Sequence, residues 1–171
     1  MDGALPSAAT TVDRVTGHRK TGQHRDRLDG QRERLAQTAQ AIADGASAGW
    51  WLCLRDDALS VIGQIHLSQT SRGVFCSAML GYAIDPAHEG RGLMREALQA
   101  VLADAFSRLG LRRVQANVLP DNTRSLALLD RLGFAREGLA REYLFIDGAW
   151  RDHVLTALVN PQWPAQQPPP T

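Results

Sequence analysis

The feature that most limits how this chain can fold is an abrupt change of hydrophobic period at Asp85-Pro86. Before it, apolar residues fall in short runs bounded by turn residues: GWWLCLR (49–55), VIGQIHLSQ (61–69) and VFCSAMLGYAID (74–85). The turn-like Asp56-Asp57 and Ser71-Arg72-Gly73 separate these runs, which predicts three strands in an antiparallel meander. After it, Leu93, Ala97, Leu98, Val101, Leu102, Ala105, Phe106 and Leu109 recur at helical spacing until Gly110, which predicts one long helix with a wide buried face. RRVQANVLP (112–120) then reads as a strand. A strand, a helix and a strand of these lengths imply a right-handed parallel crossover. The expected class is therefore α/β: a mixed, mostly antiparallel sheet with a central parallel strand-helix-strand crossover and flanking helices.

Asn122 opens a shorter helix through Leu132, with Leu126, Leu129 and Leu132 on one face and Gly133 as terminator. EYLFID (142–147) and AWRDHVLTALV (149–159), joined around Asp147-Gly148, predict a final hairpin. Upstream, Leu35, Ala39 and Ile42 place an amphipathic helix over 31–44. Residues 1–30 are small, polar and basic, with no sustained apolar period, and read as a loose segment. The stretch NPQWPAQQPPPT carries most of the eight prolines, so 161–171 reads as a disordered tail. That leaves 31–160 as the domain.

A chain of 171 residues with 44% hydrophobic content suits one catalytic domain. A formal net charge of +1 gives no footprint for nucleic-acid binding. No stretch approaches the roughly 18 uninterrupted apolar residues of a membrane span, and the N-terminus lacks the regions of a secretion signal. The cytoplasm is the expected compartment. Cys53 and Cys76 lie in apolar strand-like runs and are expected to be buried, reduced thiols. His66, His88 and His153 stand apart without metal-ligand spacing, so no metal site is expected. Trp50, Trp51, Trp150 and Phe134 are expected in the core.

The loop His88-Glu89-Gly90-Arg91-Gly92-Leu93-Met94 carries the chemistry. Glycines at 90 and 92 let backbone N–H groups approach an anion, and the helix that follows adds the positive end of its dipole. Two glycines before a helix also make an ordinary turn. A dinucleotide fold would place a fuller glycine pattern early in the chain, whereas this pair follows a meander.

Here the sequence resembles the GNAT superfamily of N-acetyltransferases, through Glu89-Gly90-Arg91-Gly92-Leu93-Met94 at its cofactor motif. LGYAID, GRGLMREAL, ANVLPDNTRSLALLDRLGF and EGLAREYLFIDGAWRDHVLTAL are similar to the RimJ/RimL branch, the ribosomal-protein-alanine N-acetyltransferases, RimJ being the nearer. The resemblance covers roughly Ser47 to Trp163. It implies the GNAT (acyl-CoA N-acyltransferase) fold, acetyl-CoA as co-substrate and no metal. The acceptor it implies is the N-terminal Ala or Ser amine of a ribosomal or other protein. A small amine remains the alternative acceptor, and a non-catalytic module binding acetyl-CoA or the ribosome the alternative role.

Residue by residue, the resemblance implies that main-chain groups of Ala83 and Ile84 pair with the pantetheine arm. It implies that the amides of Gly90, Arg91, Gly92, Leu93 and Met94 hold the pyrophosphate, and that Asn122 and Ser125 lie near the pantetheine and the sulfur. Asn122 is equally a good helix N-cap. Three positions depart from the family pattern. Glu89 puts a carboxylate beside two phosphates unless it faces solvent or pairs with Arg91. Met94 replaces a small residue. Leu129 stands where many relatives carry a tyrosine acid, which leaves Ser125 as the candidate acid for the departing thiolate. Glu142 and Tyr143, on the strand facing the groove, are the candidate bases, and strand alternation points one of them away.

Overall fold

The computed structural model describes Thr10–Arg14 and residues 46–163. Along the chain these form β1 (Thr10–Arg14), β2 (Ala48–Leu54), β3 (Asp57–Ser71), β4 (Ser77–Ile84), a 3₁₀ turn (Pro86–His88), α1 (Leu93–Ser107), β5 (Arg113–Val118), α2 (Thr123–Arg131), β6 (Ala135–Ile146) and β7 (Ala149–Val159). The strands make one sheet in the order β1-β2-β3-β4-β5-β7-β6. Every neighbouring pair is antiparallel except β4 and β5, which the α1 crossover joins in parallel. The expected α/β class with its central crossover is the observed one.

The period that predicted α1 is also what anchors it. Leu93, Met94, Ala97, Leu98, Val101, Leu102 and Ala105 are all buried. They share a core with Leu52, Ile65 and Leu67 of β2 and β3, Leu80 of β4, Val114 and Ala116 of β5, and Leu126 and Leu129 of α2. Each such leucine contributes roughly 1.5–3 kcal/mol on burial. On β5 the alternation is clean: Val114, Ala116 and Val118 face this core, while Arg113, Gln115 and Asn117 are only half-buried on the opposite face. The free thiols of Cys53 and Cys76 are buried as expected.

Several elements differ from the sequence expectation. Residues 10–14 form a strand paired with β2 from Thr10↔Leu54 to Arg14↔Trp50. Five residues are too few to show a period, although Thr10, Thr11 and Val12 are β-branched. Strand β6 begins at Ala135 rather than Glu142, because an edge strand exposed on both faces carries no apolar alternation to reveal it. Trp51 and Trp150 are exposed at 38% and 61%, while Trp50 and Phe134 are in the core. Strand alternation turns Trp51 away from Trp50, and Trp150 packs edge-on against Phe145 near the end of the β6/β7 hairpin. Within the expected tail, Pro161–Trp163 form a turn held by Asn160, whose Oδ1 accepts from the Gln162 amide at 3.0 Å. The helix expected over 31–44, the rest of 1–30 and residues 164–171 lie outside the described residues. No helix among those described is long and apolar enough to cross a membrane.

Glycines 63 and 49 separate what β3 and β2 each tolerate. A Cβ on Gly63 would lie 2.7 Å from the Ala83 carbonyl oxygen, whereas one on Gly49 would meet nothing closer than 3.9 Å. Gly63→Ala must therefore push β4 outward and is expected to destabilise by about 1–3 kcal/mol. Gly49→Ala should lose well under half of that in a urea titration, and equal losses would refute the close β3–β4 approach.

Candidate active site

The parallel β4–β5 ladder is short. It holds the pairs Ser77↔Arg113, Ala78↔Val114 and Met79↔Gln115 and stops there. Beyond it, β4 stays on β3 as far as Gly63↔Ile84, and β5 stays on β7 as far as Val118↔Val154. The two strands consequently part from Leu80 and Ala116 onward. A slot opens in the middle of the sheet, and its β4 side lacks ladder hydrogen bonds that backbone groups ordinarily require.

On the helix face, a groove of about 660 Å³ runs from this slot to the start of α1. Tyr82, Ala83 and Ile84 of β4 line one side, and Asn122, Ser125 and Leu128 of α2 line the other. Its far end is the loop at Glu89, Gly90 and Gly92 and the first turn of α1. Asp85 shapes the approach by accepting the Ala87 amide at 2.8 Å and so capping the 3₁₀ turn. The N-cap of α1 is Gly92 at φ 80°, and no side chain caps the helix there. The first-turn amides are thus left for another acceptor, and the space beside Gly90 and Gly92 is open. The side chains of Leu93 and Met94 are buried in the core. The large residue at 94 is thus accommodated by the core.

Other expected residues sort as follows. Arg91 is exposed and off the groove wall, while Arg95, Arg124 and Arg131 are on it. Glu89 forms an ion pair with Arg124 rather than Arg91. Sequence spacing could not show this, since Glu89 lies in the loop before α1 and Arg124 stands 35 residues later in α2. Asn122 does cap α2, its Oδ1 accepting from the Ser125 amide at 3.1 Å. Leu129 is fully buried and belongs to the core. Tyr82 was not anticipated as a wall residue. Its buried hydroxyl has no well-formed hydrogen bond among the described residues. Burial pushes the phenol pKa up, and the facing Ser125 side chain offsets part of that rise. His88, also on the wall, has a buried Nδ1 without a partner among the described residues. Open phosphate-sized space at uncapped amides, and unsatisfied polar atoms along the same groove, fit an acyl-CoA.

The opposite face of the slot is built differently. The Asn117 side-chain amide donates to the Tyr143 hydroxyl at 2.9 Å, and Tyr143 lies against the His153 ring at 5.5 Å. His153 is buried with Nδ1 3.0 Å from the Arg151 carbonyl oxygen. Glu142 is off this network: it sits at φ 46° where the β6–β7 register shifts, and its amide donates to Asp152 Oδ1 at 2.8 Å. Of the two candidate bases, Tyr143 alone is tied to the slot, through Asn117. Among the described residues no group of three or more His, Cys, Asp or Glu side chains could hold a metal ion.

Residues 6–135 match the acetyltransferase (GNAT) domain family. The chain belongs to the GNAT acetyltransferases. It is 48% identical over 107 residues to the [ribosomal protein uS5]-alanine N-acetyltransferase of Escherichia coli, a match covering 63% of this chain and 55% of that protein. The chain therefore spans little more than half the length of that curated relative. Among solved structures, the ribosomal-protein-S5-alanine acetyltransferase of Vibrio fischeri superposes with a TM-score of 0.72 at 32% identity, covering 80% of this chain and 74% of the other. RimJ of Mycobacterium smegmatis, in complex with CoA-disulfide, gives a TM-score of 0.72 at 30% identity over 82% of this chain and 65% of that one.

Two predictions test the groove. Gly92→Val should weaken acetyl-CoA binding at least tenfold by calorimetry, because a branched residue cannot hold the left-handed backbone that aims these amides. Its strain is about 1–2 kcal/mol, a fall of roughly 2–8 °C in melting temperature. Unchanged affinity with that modest loss of stability would remove the loop from the site. Glu89→Gln, which frees the exposed Arg124 from its pair and removes a carboxylate from the groove mouth, should tighten binding about two- to fivefold at low salt. The gain should vanish at high salt.

Proposed function

We propose that the chain is an acetyl-CoA-dependent N-acetyltransferase acting by direct transfer on the N-terminal α-amine of a protein, with Ala or Ser first. The observation that carries this reading is the slot between β4 and β5. It opens at one end of a groove whose other end is an uncapped helix N-terminus, so an elongated anionic thioester can lie along the groove with its acyl end in the slot. When bound, the co-substrate supplies an activated acetyl group. The α1 amides and Arg95 hold phosphate, the main chain of Ala83 and Ile84 receives the pantetheine arm, and Ser125 beside Tyr82 gives a proton to the departing sulfur. Positioning and hydrogen bonding then provide most of the rate. The acceptor is inferred from the likeness to the ribosomal-protein-alanine enzymes and from the ionisation of amines.

An α-amine has a pKa near 7.7–8.0 and lysine one near 10.4, so around pH 7 roughly a tenth of the first but under a thousandth of the second is the neutral nucleophile. We infer that no carboxylate base makes up that difference: Glu142 lies where the β6–β7 register shifts, and Glu137 is paired with Arg113. Peptides with a free N-terminal Ala or Ser should therefore be acetylated at least about 100-fold faster than the same peptides blocked at the N-terminus and carrying lysine. Mass spectrometry after incubation with acetyl-CoA locates the group. Acetylation mainly on lysine, or of small amines alone, would overturn the acceptor. Binding of acetyl-CoA without release of CoA to any acceptor would leave a binding module instead.

A further inference from the structure

We propose that the His66 imidazole takes the proton from the attacking amine, on the face of the sheet opposite the co-substrate groove. The inference rests on the acetyltransferase reading and adds to it a group that neither the sequence nor the family match singles out.

Residues 81 and 82 of β4 stand side by side at the slot and point to opposite faces. Tyr82 faces the groove with Ser125. Gly81 faces the other way, and the space its missing side chain leaves is filled by a histidine: a Cβ built there would lie 2.3 Å from both Cε1 and Nε2 of His66. Register gives the same answer, pairing His66 with Gly81 and, on the other side, with Gly49. Met79 and Gln115 end the ladder, so the next residues on this face, Gly81 and Asn117, flank the mouth of the slot. An amine attacking a thioester carbonyl held between the strands arrives perpendicular to the carbonyl plane, on the side where His66 and Asn117 lie.

The environment also suits a base. His66 meets only glycine across the sheet on both sides, and its same-face neighbours along β3 are Gln64 and Ser68. Trp51 and Met79 stand diagonally from it, and none of these described neighbours is titratable. Partial burial pushes its pKa below the usual imidazole value, with no described charge opposing that. The ring is therefore neutral at physiological pH and able to accept. Three other titratable groups described on this face are engaged: His153 is buried against the Arg151 carbonyl oxygen, Tyr143 is bonded to Asn117, and Glu137 is paired with Arg113. In the step, the amine nitrogen forms a bond to the carbonyl carbon and the carbon–sulfur bond breaks. The amine proton passes to His66 and on to water, and the thiolate gains a proton through Ser125.

The test is His66→Ala in the full chain, assayed with N-terminal Ala and Ser peptides and with a panel of small amines. Turnover should fall about 100-fold, with acetyl-CoA affinity by calorimetry unchanged. Added imidazole should restore part of it, since residue 66 is exposed to solvent. In the wild type, kcat should decline as pH falls through the His66 ionisation, because protonation removes the acceptor, and this acid limb should be missing in the variant. NMR titration of the unliganded wild-type imidazole should place that ionisation below the usual range for histidine. A variant within twofold of wild type would overturn the proposal. So would a loss that imidazole does not rescue while the acid limb persists, or a ring found protonated at neutral pH. Wild-type turnover of small amines but no peptide would overturn the acceptor reading while these variants still decide His66, and turnover of no acceptor would overturn both.

Discussion

Two parallel strands that share only three residue pairs must be held apart beyond them by their other neighbours. Here β3 holds β4 out to Ile84 and β7 holds β5 out to Val118, while α1 and α2 pack the floor beneath through a single core. Backbone groups facing an opening of this kind lose about 1–3 kcal/mol each if buried without a partner. The slot is stable as a feature only because it remains accessible to water or to an extended ligand able to take the place of a strand. The groove, the cap-free helix and the opposing histidine all derive their meaning from where the Met79↔Gln115 pair ends the ladder.

What the sequence made legible follows from how local each signal is. The α1 stripe, the glycine loop before it and the crossover are written in adjacent residues, and the structure reproduces them. Asn122 as a helix cap is equally local. By contrast, β6 from Ala135 and the strand at Thr10–Arg14 lack a period, one because both faces of an edge are exposed and the other because it is too short. The pairings that decide the site are long-range: Glu89 with Arg124, Tyr143 with Asn117, and His66 over Gly81. In the chain, His66 is one more polar residue in an alternating strand. Only the β3–β4 register brings it to a glycine at the slot.

Glu89 illustrates how a local departure is neutralised at a distance. A carboxylate beside a phosphate cradle is unfavourable where dipole and amides are arranged for anions. Its pairing with Arg124 joins it to a guanidinium of a groove that Arg95 and Arg131 also line. The pair is largely exposed, so its intrinsic contribution to stability is small. Its effect is on the local field instead: it offsets one of the three arginines that line the groove.

The two faces of the slot thereby separate two incompatible electrostatic demands. The donor is polyanionic and needs the arginines and helix dipole of the groove. The proposed acceptor, an α-amine, would arrive largely as an ammonium and be repelled by the same groups. On the opposite face Arg113, which is part of the ladder, is already matched by Glu137. The groups at the mouth itself are an amide, Asn117, and the proposed base His66, whose partial burial lowers its pKa and so favours the neutral ring. A carboxylate there would attract the ammonium more strongly but would hold it in the protonated, unreactive form. A neutral imidazole gives the amine less reason to remain charged, and for an α-amine only slightly more basic than the ring, the proton transfer is a small step. The same ring would face a far larger gap with lysine, so the proposed base over Gly81 and the proposed α-amine acceptor are consistent with one another.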